Sequence, residues 1–487
     1  MLLFIMFLGF IALFLGYKFY SPYVMKQLNF DETKETPAYK YRDDVDYMPI
    51  STNKNMMIQL LNIAGTGPVF GPIMAALFGP ISLILIPLGN IFAGAVMDLG
   101  FGVISMKNKG MNFPAIAIEQ MGRWSKWPVT IFSCLLLLLV GTVFVVTPAS
   151  LMNVTFFDGS QTTHYIIVSI IFAYYIMATV MPIDKIIARY YPYLTALLLI
   201  GTLAIFISLL VSTVTGGLPY GLPPIDAHGF IAWSNPRGTL LWPGFIVAVS
   251  CGFISGFHTT QTPIVAKTLK DGRHVRKTFY GMMSVEGGIA LVWAFASIVL
   301  FTPISLSETM HLGTQTLVVS EISNTTLGPF AFLLVLAVVI LPITSGDTAF
   351  RSLRSIVAEV FNIPQEKVKS RIIMALPVFT ASVIAMQMGF QPLWNYFTWS
   401  NHMLSIMSLI MITGYLKNQG TNYWITLVPM LLLFSLNMLY LFNDAGIGFG
   451  LEWNISAILG TVVALLSAYF FLRYSRSWQG KVLDEFH

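Results

Sequence analysis

The chain is 487 residues long, 56% hydrophobic and only 10% charged, with a formal net charge of +5 and a mean hydropathy of +0.73. That balance excludes a soluble globular domain, and the modest positive charge lies in short loops rather than in a patch suited to nucleic acid. The chain reads as an all-α polytopic membrane protein.

A spanning helix takes roughly 20 mostly apolar residues, and thirteen such segments are predicted, centred near residues 10, 67, 92, 140, 172, 202, 251, 292, 338, 380, 405, 432 and 462. The first lacks the basic leader and small-residue cleavage site of a secretory signal, so it is taken as an extra N-terminal helix, residues 1–20. A polar stretch, residues 21–56, follows. Of the 27 lysines and arginines, all but Arg237 follow an odd-numbered segment. By the positive-inside rule this places the N-terminus outside and the C-terminus, with a tail over 475–487, in the cytoplasm. Cys134 and Cys251 both fall inside predicted spans and imply no disulfide framework.

The second segment contains Gly65-Thr66-Gly67-Pro68-Val69-Phe70-Gly71-Pro72, whose two prolines must interrupt the helical hydrogen-bond ladder. The seventh contains Cys251-Gly-Phe-Ile-Ser-Gly-Phe-His-Thr-Thr-Gln-Thr-Pro263. Broken backbone at membrane depth survives only where it lines protein or a water-filled cavity. The two breaks lie five helices apart and start from opposite sides of the membrane, the signature of an inverted repeat whose discontinuous helices hold the ligand of a secondary transporter. The expected repeats are residues 57–213 and 240–416, with two further helices over 422–474. A third polar break is expected at Leu341-Pro-Ile-Thr-Ser-Gly-Asp-Thr348, ending the ninth segment near Arg351 and Arg354. Glu286 sits beside Gly287 and Gly288, and Asn401-His402 reads as a cytoplasmic-end or packing pair. Asp98 reads as an interfacial residue.

No His-Glu-x-x-His, phosphate-binding or dinucleotide glycine motif is present, and His258 has no second ligand at metal spacing. An enzyme is not expected, nor a cofactor or metal, so uphill transport would draw on an ion gradient. The expected substrate site is Thr66, Gly67, Ser255, Gly256, His258, Thr259 and Gln261. Half-helix N-termini favour an anionic group there. Ion coupling is assigned to His258, Glu286, Thr344, Ser345 and Asp347. A proton is preferred, because the ordinary histidine pKa is about 6.5; a sodium ion would instead use Thr344 and Ser345. The expected partners are a small-molecule substrate and membrane lipid. A channel or sensor is the remoter alternative, and the chain has no long soluble segment to serve a sensor.

Several polar stretches in order resemble the carbon starvation protein A family: residues 62–72 (Asn-Ile-Ala-Gly-Thr-Gly-Pro-Val-Phe-Gly-Pro), 252–263, 343–354 (Ile-Thr-Ser-Gly-Asp-Thr-Ala-Phe-Arg-Ser-Leu-Arg) and 394–408. Phe279-Tyr-Gly-Met-Met283 with Glu286-Gly287, and Asp46-Tyr-Met-Pro49, extend the resemblance over roughly residues 43–410. It implies a carrier related to the amino acid, polyamine and organocation superfamily, with the leucine-transporter type of 5+5 repeat. The substrates it implies are peptides taken up in carbon starvation or, in some members, pyruvate with a proton. The chain departs from longer members in carrying Ile58-Gln59 where they have a histidine pair, and in a shorter C-terminal part.

Overall fold

The computed structural model describes the chain apart from residues 44–46, 66, 181–186, 218–229, 250–251, 362, 364–367 and 475–487. Among the described residues every regular element is a helix. The long helices are α1 (Leu2–Leu15, prolonged by turns to Gln27), α2 (Thr52–Ala64), α3 (Gly67–Ala75), α4 (Ser82–Lys107), α5 (Lys126–Phe156), α6 (Gln161–Val180) and α7 (Ile187–Thr215). They are followed by α8 (Leu241–Ala248), α9 (Gly256–Ala266), α10 (Met282–Leu300), α11 (Pro303–Leu327), α12 (Ala331–Val360), α13 (Val368–Met386), α14 (Phe390–Asn418), α15 (Trp424–Asn443) and α16 (Trp453–Tyr474).

Ten described helical segments are long and apolar enough to cross a membrane, and the pair α2 and α3, bent by 46°, makes eleven. Two of the thirteen expected spans do not qualify by length and composition. One is divided into α8 and α9; the other, α14, carries the Asn401-His402 stretch and many hydroxyls. Both are nonetheless present as helices where the apolar runs place them.

The two broken segments head two sets of five. Helix α5, third in its set, packs along α12, third in the other, and each fifth helix closes on the broken segment of its own set, α7 on α2 and α14 on α8 and α9. At the breaks the chain turns through positive φ at Gly65 (+44°) and Gly252 (+79°). A side chain at Gly65 would also meet the Phe144 ring 2.7 Å from its Cβ. Glycine therefore serves both the turn and the close approach of α5.

Two expectations are corrected. Residues 341–348 do not break a helix: α12 runs through Pro342 to Val360, and Arg351 and Arg354 lie buried inside it rather than in a loop. Beside this proline Tyr175 Oη of α6 donates to the Pro342 carbonyl (3.1 Å) and to the Phe144 carbonyl of α5 (2.9 Å), which ties the three helices together. Helix α11 was not expected as an element. Its 25 residues mix Ser, Thr, Glu and Asn with aliphatics, so no apolar run announces it, but a reciprocal capping box of Thr302 and Ser305 starts it.

Candidate functional site

Helix α9 begins at the seventh-segment break, and its third residue is His258. The ring lies between two carboxylates from different helices. Nδ1 is 3.0 and 3.2 Å from the Asp98 oxygens of α4, and Nε2 is 3.6 Å from Glu286 of α10. None of the three is more than 1% exposed. Asp98 is thus not interfacial, as its position near the end of an apolar run suggested; helix α4 extends to Lys107 and carries Asp98 into the core. One imidazole and two carboxylates have a charge of −1 with the ring protonated, and one further proton makes them neutral. In such a cluster, isolated from water, the gain or loss of one proton would change the local electrostatics strongly.

The backbone around the cluster is held by side-chain amides. Asn90 donates from Nδ2 to the carbonyls of Gly252 (2.8 Å) and Met283 (2.9 Å), tying the unwound strand to α4 and α10. The approach is close enough that a Cβ at Gly94 would lie 2.3 Å from the Phe253 carbonyl oxygen. From α14, Asn401 Oδ1 accepts from the Phe257 amide (2.9 Å) and from Ser255 Oγ (3.1 Å), so a distant asparagine caps α9. Its neighbour His402 donates from Nε2 to the Ile246 carbonyl of α8 (2.8 Å). One dipeptide therefore grips both halves of the broken segment, a role that its position in the sequence did not signal.

The expected site residues separate into groups. His258 and Glu286 meet, with Asp98 added. Ser255 and Gly256 pack against α14, where a Cβ on Gly256 would sit 2.4 Å from the Asn401 carbonyl oxygen. Gly67 opens α3, and Thr66 lies outside the described residues. Ser345 Oγ donates to the Leu61 carbonyl of α2 (3.2 Å), which brings α12 to the second-segment break, while Thr344 bonds back to Leu341. Asp347 joins no histidine. It pairs at 3.4 Å with Arg351 one turn on, and Arg351 also donates to the Ala178 carbonyl.

Thr259 and Gln261 lie on the half-helix α9, which runs beside α2. Thr268 donates to Asn55 Oδ1 (3.0 Å) at one end of this seam. Gln59 and Asn62 lie four and seven residues beyond Asn55, and Gln261 seven before Thr268, so helical periodicity carries all of them along the same faces. All three are fully buried, and among the described residues Gln59, Asn62, Gln261 Oε1 and Thr259 Oγ1 have no hydrogen-bond partner. On the side away from most basic loops, a cavity of about 530 Å³ lies between α3, α8 and α14, reaching Phe78, Val247 and Asn395.

A five-plus-five inverted repeat with an interrupted helix at the head of each set defines the leucine-transporter fold. Among solved structures, MhsT in complex with L-phenylalanine superposes with a TM-score of 0.59 over 86% of this chain and 99% of that one, at 12% identity. A manganese transporter from Eremococcus coleocola superposes with a TM-score of 0.56 over 90% and 99%, at 11% identity. At such identities the likeness concerns the fold. A model of the carbon starvation protein CstA family matches residues 1–163 and 146–327, and the chain belongs to that family. An uncharacterized membrane protein of Haemophilus influenzae is 37% identical over 343 residues, 62% of this chain and 92% of the relative. The peptide transporter CstA of Campylobacter jejuni is 25% identical over 57% of this chain, which spans only 47% of that relative's length. The Escherichia coli pyruvate/proton symporter BtsT is 33% identical over 130 residues, 26% of this chain and 18% of the symporter. The protein is thus a membrane transporter and not an enzyme.

Proposed function

We propose that this carrier imports a small organic carboxylate, with pyruvate as the first choice, together with a proton. His258 held between Asp98 and Glu286 carries this reading. The three residues come from three helices that meet at the unwound strand, so a proton that changes their charge also changes the forces across the break. Alternating access around the second and seventh segments would expose the cluster to each side in turn. Substrate would lie near Gly67 and the neighbouring break, with Thr66 as an orienting hydroxyl. Asn401 already accepts from the Phe257 amide in the first turn of α9, which leaves the α3 terminus as the better anion-facing end. The N-terminus would face the outside, since the basic loops would be cytoplasmic.

A peptide substrate is the second reading. It is favoured by the unpartnered side-chain amides of Gln59 and Asn62 and the unpartnered Gln261 Oε1, which offer both donors and acceptors to a solute that carries both. Sodium in place of the proton would use Ser345 and the Leu61 carbonyl.

The test is uptake of labelled pyruvate into proteoliposomes under an imposed proton gradient and, separately, a sodium gradient, each with competing di- and tripeptides. Proton-driven accumulation that peptides do not inhibit supports the carboxylate reading. Peptide-dependent proton entry without pyruvate uptake replaces it with the second, and flux that never exceeds equilibrium points to a channel.

A further inference from the structure

The added helix α1 does not lie flush on the repeats. Between it, α7 and α10 runs a cleft of about 600 Å³ walled by Phe10, Phe14, Leu203, Phe206, Val285 and Ile289. Phe14 and Leu203 are 59% and 54% exposed, so the trough opens on the flank that faces lipid. Its polar features are few. Thr202, 4% exposed, presents an Oγ1 that has no hydrogen-bond partner among the described residues.

The chemistry changes at one end. Lys277 lines the cleft and is exposed, and Lys18 lies 5.8 Å from the ring centroid of Phe14. Arg276 stacks 4.9 Å over Tyr17, donating to its carbonyl and to Ser21 Oγ. Beyond Arg276 a second cavity of about 380 Å³ is lined by Lys26, Arg276 and Asn29, with Glu32 as its one carboxylate. An apolar trough that opens sideways and ends among four cations and one acid has the pattern of an amphiphile with an anionic head. A polar nutrient would find few partners along the trough. A neutral amphiphile would leave the basic cluster uncompensated.

We propose that this cleft binds an anionic phospholipid, with an acyl chain in the trough and the phosphate among Lys18, Lys26, Arg276 and Lys277. The bound lipid would fill the gap between the added helix and the repeats. It would also bridge α1 to α10, the helix that carries Glu286, and so couple membrane composition to the stability of the carrier. This site is independent of the transport substrate.

The experiment uses the full chain, purified in detergent and titrated with phosphatidylglycerol, with phosphatidylcholine of the same acyl chains, and with glycerol 3-phosphate. The readout is the thermal unfolding midpoint. Phosphatidylglycerol is expected to raise it saturably, phosphatidylcholine weakly and glycerol phosphate not at all. Each basic residue near an anionic headgroup contributes a factor of about five. The double variant Lys26→Ala, Lys277→Ala, one residue lining the second cavity and one the cleft, both exposed, should therefore raise the phosphatidylglycerol concentration for half the response about 25-fold. Leu203→Trp fills the trough from its exposed flank and should abolish the response while the lipid-free midpoint stays near that of the parent. Equal responses to the two lipids, a response to glycerol phosphate alone, or an undiminished phosphatidylglycerol response in either variant would overturn the proposal.

Discussion

Two groups of buried charge lie in the core, and they are built differently. Asp347 and Arg351 stand one turn apart on α12, opposite in sign, with the guanidinium also held by the Ala178 carbonyl. Arginine stays protonated at every ordinary pH, and with its carboxylate one turn away on the same helix the pair moves as one piece. His258, Asp98 and Glu286 come from three helices and carry one more acidic group than basic. They balance only by taking up a proton, and any motion of α9 relative to α4 or α10 changes their distances. A buried charge can thus be a fixed packing element or a variable one, and the distinction lies in whether its compensation is permanent and local.

The comparison can be broken most directly at His258. A gradient of one pH unit supports about tenfold accumulation in a one-to-one symport, and His258→Gln should reduce it to equilibration while substrate exchange persists. Glu286→Gln and Asp98→Asn should likewise make uptake insensitive to the imposed gradient. Tenfold accumulation by His258→Gln would remove the ring from the coupling role.

The fixed pair should behave in the opposite way. Asp347→Asn leaves the Arg351 charge without its carboxylate and should cost about 3–5 kcal/mol of stability, read as a lowered unfolding midpoint. The fraction that remains folded should still accumulate substrate. A stable Asp347→Asn protein that no longer responds to a proton gradient would move Asp347 into the coupling machinery.

A smaller effect is expected at the clamp. Asn401→Ala removes the acceptor of the Phe257 amide and the Ser255 hydroxyl and should cost about 1–3 kcal/mol, with a faster loss of activity on heating. A variant as heat-stable as the parent would show that α9 is capped from elsewhere. Smallest of all, Gln59→Leu removes a buried amide that has no partner, so stability should change by less than about 1 kcal/mol or rise. If Gln59 meets the substrate on its way, the rate of uptake should fall all the same. An unchanged rate would confine Gln59 to packing.

Much of this was legible in the sequence, because membrane spans follow from long apolar runs and helical breaks from glycine and proline within them. The two interrupted segments, their spacing of five helices and the presence of His258 at a break all follow from local rules. The partners of His258 do not. Asp98 lies 160 positions away and looks like a helix-end carboxylate until α4 is seen to continue past it. Asn90 and Asn401 are single polar residues in apolar helices, and the carbonyls and amides they bind belong to strands distant in sequence. Helix α12 looked broken because its Pro-Ile-Thr-Ser-Gly-Asp run resembles the true breaks, yet the helix continues through it to Val360.

By itself, then, the sequence determined that this chain spans a membrane as an inverted repeat with its second and seventh segments interrupted, since the bilayer leaves a spanning backbone of such apolar runs little alternative to helix. Only the tertiary structure decided which carboxylate pairs with a histidine and which with an arginine. Both carboxylates sit in similar apolar surroundings along the chain, and their roles depend on which neighbouring helix brings a counter-charge within a few ångströms.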